Sequence, residues 1–144
     1  MTKIRRNAAD ESGAKGQIPR KTILVVDDEA TIRNILVQVL RLRGYRVLSA
    51  MNGVDALKIL RDPQDCIDVL ITDLMMPLMT GKELIETVLT SHPHVKPICL
   101  SASSTVLSLN RSVLFLPKPF SLQAIVESVR EVLDSALPNA KMTG

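Results

Sequence analysis

Apolar residues along the chain fall into two kinds of run that alternate. One kind is short and nearly unbroken: TILVV at 22–26, RVLSA at 46–50, IDVLIT at 67–72, PICLS at 97–101 and SVLFL at 112–116. The other kind spaces its apolar positions by three and four. Ile32, Ile35, Leu36, Val39 and Leu40 make one such stripe, ended by Gly44. Asn52-Gly53 opens a second that runs through Leu60 and stops at Asp62-Pro63. Leu84, Ile85, Val88 and Leu89 lie inward on a third, over 81–90. Leu122, Ile125, Val126, Val129, Val132 and Leu133 form a fourth, capped by Ser121. Unbroken runs predict strands covered on both faces, and three-four spacing predicts helices with one buried face.

Strand and helix therefore alternate, which predicts an α/β fold with one parallel sheet and helices on both sides. Right-handed crossovers leave few arrangements, and the flavodoxin-like, doubly wound five-stranded order 2-1-3-4-5 is the expected one. At 144 residues the chain can bury one core without disulfide or metal support. The expected organisation is a disordered tail at 1–20, one folded unit at 21–137 and a short tail at 138–144, with no internal repeat or second domain.

Charge changes the picture at one end only. Lys3, Arg5, Arg6, Lys15, Arg20 and Lys21 meet only Asp10 and Glu11 within residues 1–21, a net of 6 − 2 = +4. The whole chain carries +3, so the remainder carries 3 − 4 = −1. The basicity belongs to the tail, which reads as a solubilising disordered leader rather than a nucleic-acid arm. Aromatics are reduced to Tyr45, Phe115 and Phe120, too few for a stacking surface. No apolar stretch nears the ~20 residues of a membrane span, and the N-terminus lacks the apolar core of a secretory signal. A cytoplasmic protein is expected, with Cys66 and Cys99 reduced and outside any CxxC spacing. His92 and His94 flank Pro93 without a Cys or acidic neighbour, and read as loop residues rather than metal ligands.

Chemistry gathers at the strand ends. The first strand runs into Asp27-Asp28, the third into Asp73, the fourth ends on Ser101, and the fifth leads through Pro117 to Lys118-Pro119. All are carboxyl ends of parallel strands, so they share one rim, and strands one and three meet at the crevice of the 2-1-3-4-5 order. Each residue has an ordinary explanation alone. Asp27 could cap a helix starting near Thr31, Lys118 could be a solvated loop charge, and Ser101 a turn residue beside Ser103 and Ser104. Together they form a set. Three clustered carboxylates repel one another unless a cation joins them. Mg²⁺ favours such hard oxygen ligands, together with water and a phosphoryl oxygen. Lys118 supplies a compact charge, and Ser101 a hydrogen bond, for the same phosphoryl group. These are parts for phosphoryl transfer by positioning and charge neutralisation. Asp73 is the best acceptor, because an ionised carboxylate needs no general base and no histidine is placed to activate Ser101.

The motifs ILVVDDE at 23–29, DLMMPLMTG at 73–81, a serine closing the fourth strand and LPKPF at 116–120 resemble the receiver domain of two-component response regulators. The likeness covers about residues 22–137 and is to the single-domain, chemotaxis-type members. The resemblance implies that Asp73 takes a phosphoryl group from a phosphohistidine on a sensor histidine kinase or histidine phosphotransfer protein. It implies Mg²⁺ held directly by Asp28, largely through water by Asp27, and by Asp73 and the backbone carbonyl of Met75. Lys118 would touch the phosphoryl oxygens, and its bond to Pro119 would be cis. Ser101 would move toward the phosphoryl group, and Phe115 would turn inward as the aromatic switch. Met75, Met76 and Pro77 shape the loop that presents the Met75 carbonyl, Gly81 permits the turn that follows, and Met79 reads as core packing. The implied output is control of a downstream protein target by a monomer, with no DNA-binding output domain and no catalysis beyond its own phosphorylation and dephosphorylation.

One stretch departs from the family. ASSTVLSLNRSVL, after Ser101, is several residues short and leaves little room for a full helix and its loops. Residues 102–112 are expected to be a weakly held segment whose order changes on activation, in place of the family's symmetric dimer. Two other readings compete. A receiver-like module that signals without phosphorylation typically loses an acidic, acceptor or lysine position, and none is lost. A phosphatase of the haloacid dehalogenase type carries an acid two residues after its nucleophile, where Met75 stands.

Overall fold

The computed structural model describes residues 20–101 and 113–134. Within them the chain runs β1 (Thr22–Val26), α1 (Ala30–Leu42), β2 (Arg46–Ala50), α2 (Gly53–Arg61), β3 (Val69–Asp73), α3 (Gly81–Ser91), β4 (Lys96–Ser101), β5 (Leu114–Pro117) and α4 (Leu122–Asp134). All strand pairs are parallel, in the order β2-β1-β3-β4-β5. This is the doubly wound, flavodoxin-like sheet that the alternation predicts. The expected tails (all but Arg20) and the 102–112 segment lie outside the described residues.

Successive strand residues point to opposite faces, so each strand feeds two cores. Leu24, Val26, Leu70 and Cys99 pack with Ala56 and Leu60 of α2 and Leu84, Ile85 and Val88 of α3. Ile23, Val25, Ile71, Ile98 and Leu100 pack with Leu36 and Leu40 of α1 and Ile125 and Val129 of α4. Each fully buried aliphatic side chain contributes about 1.5–3 kcal/mol. Side-chain caps set the helix starts: Asn52 accepts from Asp55 N–H, Ser121 Oγ from Ala124 N–H, and Thr80 and Glu83 form a capping box.

Several details differ from the sequence pattern. Leu122, at the very start of α4, is 42% exposed rather than part of the buried face. Ile35 is exposed, and Val37 is buried in its place. These residues flank the Leu36 stripe about 200° apart, and packing of α1 against β2 and α4 covers the Val37 side. β3 begins at Val69, two residues later than the apolar run. Asp68 instead secures the start of β1, its carboxylate accepting from Thr22 N–H at 2.8 Å. β5 extends to Pro117, which pairs with Ser101, and the next N–H, that of Lys118, donates to the Ser101 carbonyl at 2.8 Å. His92 and His94 lie in the connection between α3 and β4.

Candidate functional site

Because β1 and β3 are neighbours, the residues leaving them meet. Oxygens of Asp27, Asp28 and Asp73 lie within 4.8 Å of one another. Asp27 is 1% exposed and Asp73 8%, while Asp28 faces solvent. Asp27 Oδ1 accepts from Glu29 N–H at 2.9 Å, and its Oδ2 is buried without a hydrogen bond. It does not cap α1: that position belongs to Glu29, which makes no side-chain cap. Burial pushes the Asp27 carboxyl above its ordinary value; the Glu29 N–H opposes this, the charges of Asp73 and Asp28 add to it, and Lys118 offsets part.

Lys118 is the cation of the cluster, its Nζ 2.8 Å from Asp73 Oδ1. Burial works against its charge, but the Asp73 hydrogen bond and charge, with Asp27 and Glu29 behind, leave its pKa raised. The Lys118–Pro119 bond is cis, as the resemblance implies. Ser101 is buried at the end of β4 and is tied to Lys118 through the backbone bond already described. Phe115 lies opposite Cys99 on β5, half-buried against the core of α2 and α3. Burial, with the Asp73 charge beside it, pushes the Cys99 thiol up to about 12. Met75 lies in the loop after β3 and is 71% exposed.

The structure thus brings Asp27, Asp28, Asp73 and Lys118 into one cluster, with Ser101 attached through the main chain. Arg33 was not singled out in the sequence, yet its Nη1 donates to the Asp27 carbonyl at 2.7 Å and holds the strand end in place. Its position one turn into the helix that follows Asp27 was the available signal. Gly81 has a sharper role than a permissive turn, since a Cβ there would collide with the Asp73 carbonyl oxygen.

The donor set fits a hard divalent cation. It offers carboxylate oxygens from two adjacent strands, and the unpartnered Asp27 Oδ2 is the kind of buried polar atom that calls for an ion or water. A model of the response regulator receiver domain family matches residues 23–130. The chain belongs to that family. It is 36% identical, over 118 residues, to the sensor kinase CckA of Brucella abortus (strain 2308), covering 78% of this chain and 12% of that protein. It is 33% identical to the DNA-binding transcriptional regulator NtrC of Azospirillum brasilense, covering 84% of this chain and 26% of the relative. The chain therefore spans only about an eighth and about a quarter of these two relatives. Solved receiver domains are similar over most of the chain. That of the hybrid histidine kinase CckA aligns with a TM-score of 0.68 at 34% identity, over 78% of this chain and 98% of its own. The CheY-like receiver domain protein of Methanospirillum hungatei JF-1 aligns with a TM-score of 0.76 at 26% identity, over 83% and 98%. No helix among the described residues is long and apolar enough to cross a membrane.

Proposed function

We propose that this receiver domain accepts a phosphoryl group on Asp73 from a phosphohistidine of a sensor histidine kinase or phosphotransfer protein in the cytoplasm. The resulting change of conformation controls a partner protein. The observation that supports this most is the buried Asp73 carboxylate, held by Lys118 at 2.8 Å beside Asp27 and Asp28.

Asp73, Asp28, Asp27 and the Met75 carbonyl would hold Mg²⁺, which supplies positive charge to the phosphoryl oxygens. An Asp73 oxygen attacks phosphorus in line with the leaving imidazole: the O–P bond forms, the P–N bond breaks, and its electron pair stays with the departing histidine. No base is needed, because the nucleophile is already ionised. Lys118 moves its ammonium from Asp73 Oδ1 to a phosphoryl oxygen, and the burial of Asp73 limits water at the reacting atoms. Ser101 donates its hydroxyl to another phosphoryl oxygen, and its movement frees space for Phe115 to turn further inward.

The test is intact mass after incubation with Mg²⁺ and acetyl phosphate. One labile phosphoryl group per chain is expected, absent with a chelator and absent in Asp73→Asn. A stoichiometric label on Asp73→Asn would overturn the assignment. A folded wild type that takes no label would favour a module that signals without phosphorylation.

A further inference from the structure

Between Asp73 and α3 the chain makes a tight loop, fastened at its base and at its tip. At the base, Gly81 N–H donates to the Leu74 carbonyl at 2.8 Å, with the Gly81 Cα against the Asp73 carbonyl. At the tip, Met79 N–H donates to the Pro77 carbonyl at 2.7 Å around Leu78, whose φ is 70°. A bond from residue i+2 back to i around a positive φ marks a strained γ-turn. Such strain persists only where the surroundings fix it. Leu78 is 78% exposed and packs too little to do so.

The next residue supplies the hold. Met79 lies across the first residue of α2, so close that a Cβ built on Gly53 would stand 2.7 Å from the Met79 sulfur and 2.9 Å from Met79 Cβ. The second distance decides the matter. Rotating a thioether relieves a clash with sulfur, but Cβ moves only with the main chain. Gly53 is itself anchored, because Asn52 caps the same helix end through Asp55 N–H at 2.8 Å. Met79 also packs against the core of α2 and α3, and where it faces Gly53 it leaves no room for a side chain.

We propose that Met79 seated on Gly53 is a positioning contact for the metal site: it holds the strained turn and, through it, the main chain from Asp73 to Met75 that presents oxygen ligands. This rests on the Mg²⁺ reading above. Neither residue touches the ion or the phosphoryl group; both act through the loop.

The experiment uses the full chain and Mg²⁺ itself, titrated while the amide signals of Asp27, Asp28 and Asp73 are followed by NMR. Hydrogen exchange is read at Met79 and Gly81 without metal. Gly53→Ala should weaken Mg²⁺ binding about tenfold and speed exchange at both amides, with the strand amides protected as in wild type. Met79→Ala, which removes the hold without adding an atom, should weaken binding by about threefold, and Met79→Leu should keep it. The double variant Gly53→Ala/Met79→Ala should stay near the tenfold of Gly53→Ala alone, because alanine at 79 keeps the Cβ that collides with one at 53 while the hold that Met79 gave is already lost; independent effects would multiply to about thirtyfold. Wild-type affinity in Gly53→Ala or in Met79→Ala, or a double variant near thirtyfold, overturns the proposal. A wild type that binds no Mg²⁺ overturns the reading of the site itself, and this inference with it.

Discussion

The two ends of the sheet treat their acidic residues in opposite ways. At the amino end Asp68 accepts from Thr22 N–H at 2.8 Å, and Arg46 pairs with Asp65 at 2.7 Å in a largely buried bridge. Both of these carboxylates have partners, and the bonds link the starts of β1, β2 and β3. At the carboxyl end three carboxylates share one lysine, and Asp27 Oδ2 is buried with no hydrogen bond at all. One end is built for stability. The other holds unfavourable charge that a cation relieves, which is the condition for a site that responds to an ion and a phosphoryl group.

The contrast can be broken at either end. The largest effect is expected at the amino end, where Arg46→Ala should lower stability by about 2 kcal/mol by removing the charged hydrogen bond to Asp65 and the bond to Thr22 Oγ1. For a domain of this size that moves the melting temperature down by roughly 8 °C. An unchanged melting curve would show that the bridge is decorative. At the carboxyl end Asp27→Asn should do the reverse, raising the stability of the metal-free protein by about 1 kcal/mol and weakening Mg²⁺ binding. The sign follows from the raised folded pKa of Asp27, which lies above the ordinary 3.8. Protonation favours the fold, so wild-type stability from this group is present at low pH and is lost as pH rises through the folded value. The gap between variant and wild type should therefore close on acidification through that value. Denaturant unfolding at several pH values checks it, and a gap that widens on acidification would contradict the charge account.

Lys118→Ala sharpens the comparison further. The carboxylates remain, so Mg²⁺ should still bind, and it should stabilise the variant more than wild type because it replaces the missing charge. Beryllofluoride, a phosphoryl mimic, should then fail to shift the amide signals of Ser101 and Phe115. Wild-type shifts on β4 and β5 in the variant would refute the role given to Lys118. The smallest effect separates the two thiols. Cys66 is exposed and Cys99 buried, with its pKa near 12. Native protein should take one alkyl group from iodoacetamide, at Cys66, and denatured protein two; rapid native labelling of Cys99 would show that the core behind Asp73 opens readily.

Much of this was legible in the sequence, because it depends on order along the chain. Strand order follows from unbroken apolar runs alternating with helical stripes, and the rim follows from which polar residue ends each run. Asp73 and Lys118 meet because their strands flank β4, which topology alone dictates. What was not legible depends on partners far away in sequence. Ile35 and Val37 flank one stripe equally well until β2 and α4 choose between them. Asp27 reads as a cap until α1 is seen to begin at Ala30. Gly53 and Met79, twenty-six positions apart, reveal their contact only when α2 and the loop after β3 are set side by side.

Ser101 and Pro117 are paired in register, and the Lys118 N–H closes the same junction. The main chain thus leaves the site and comes back to it at a single seam. Whatever is spliced in between, the serine and the lysine keep their spacing, since that spacing is set by a ladder bond and not by the length of the excursion. Lengthening such an excursion costs only about 0.6 kcal/mol per doubling. The seam therefore separates two kinds of constraint. The acidic rim is held by the sheet itself, whereas the length of the stretch after Ser101 can change without moving the serine away from the lysine.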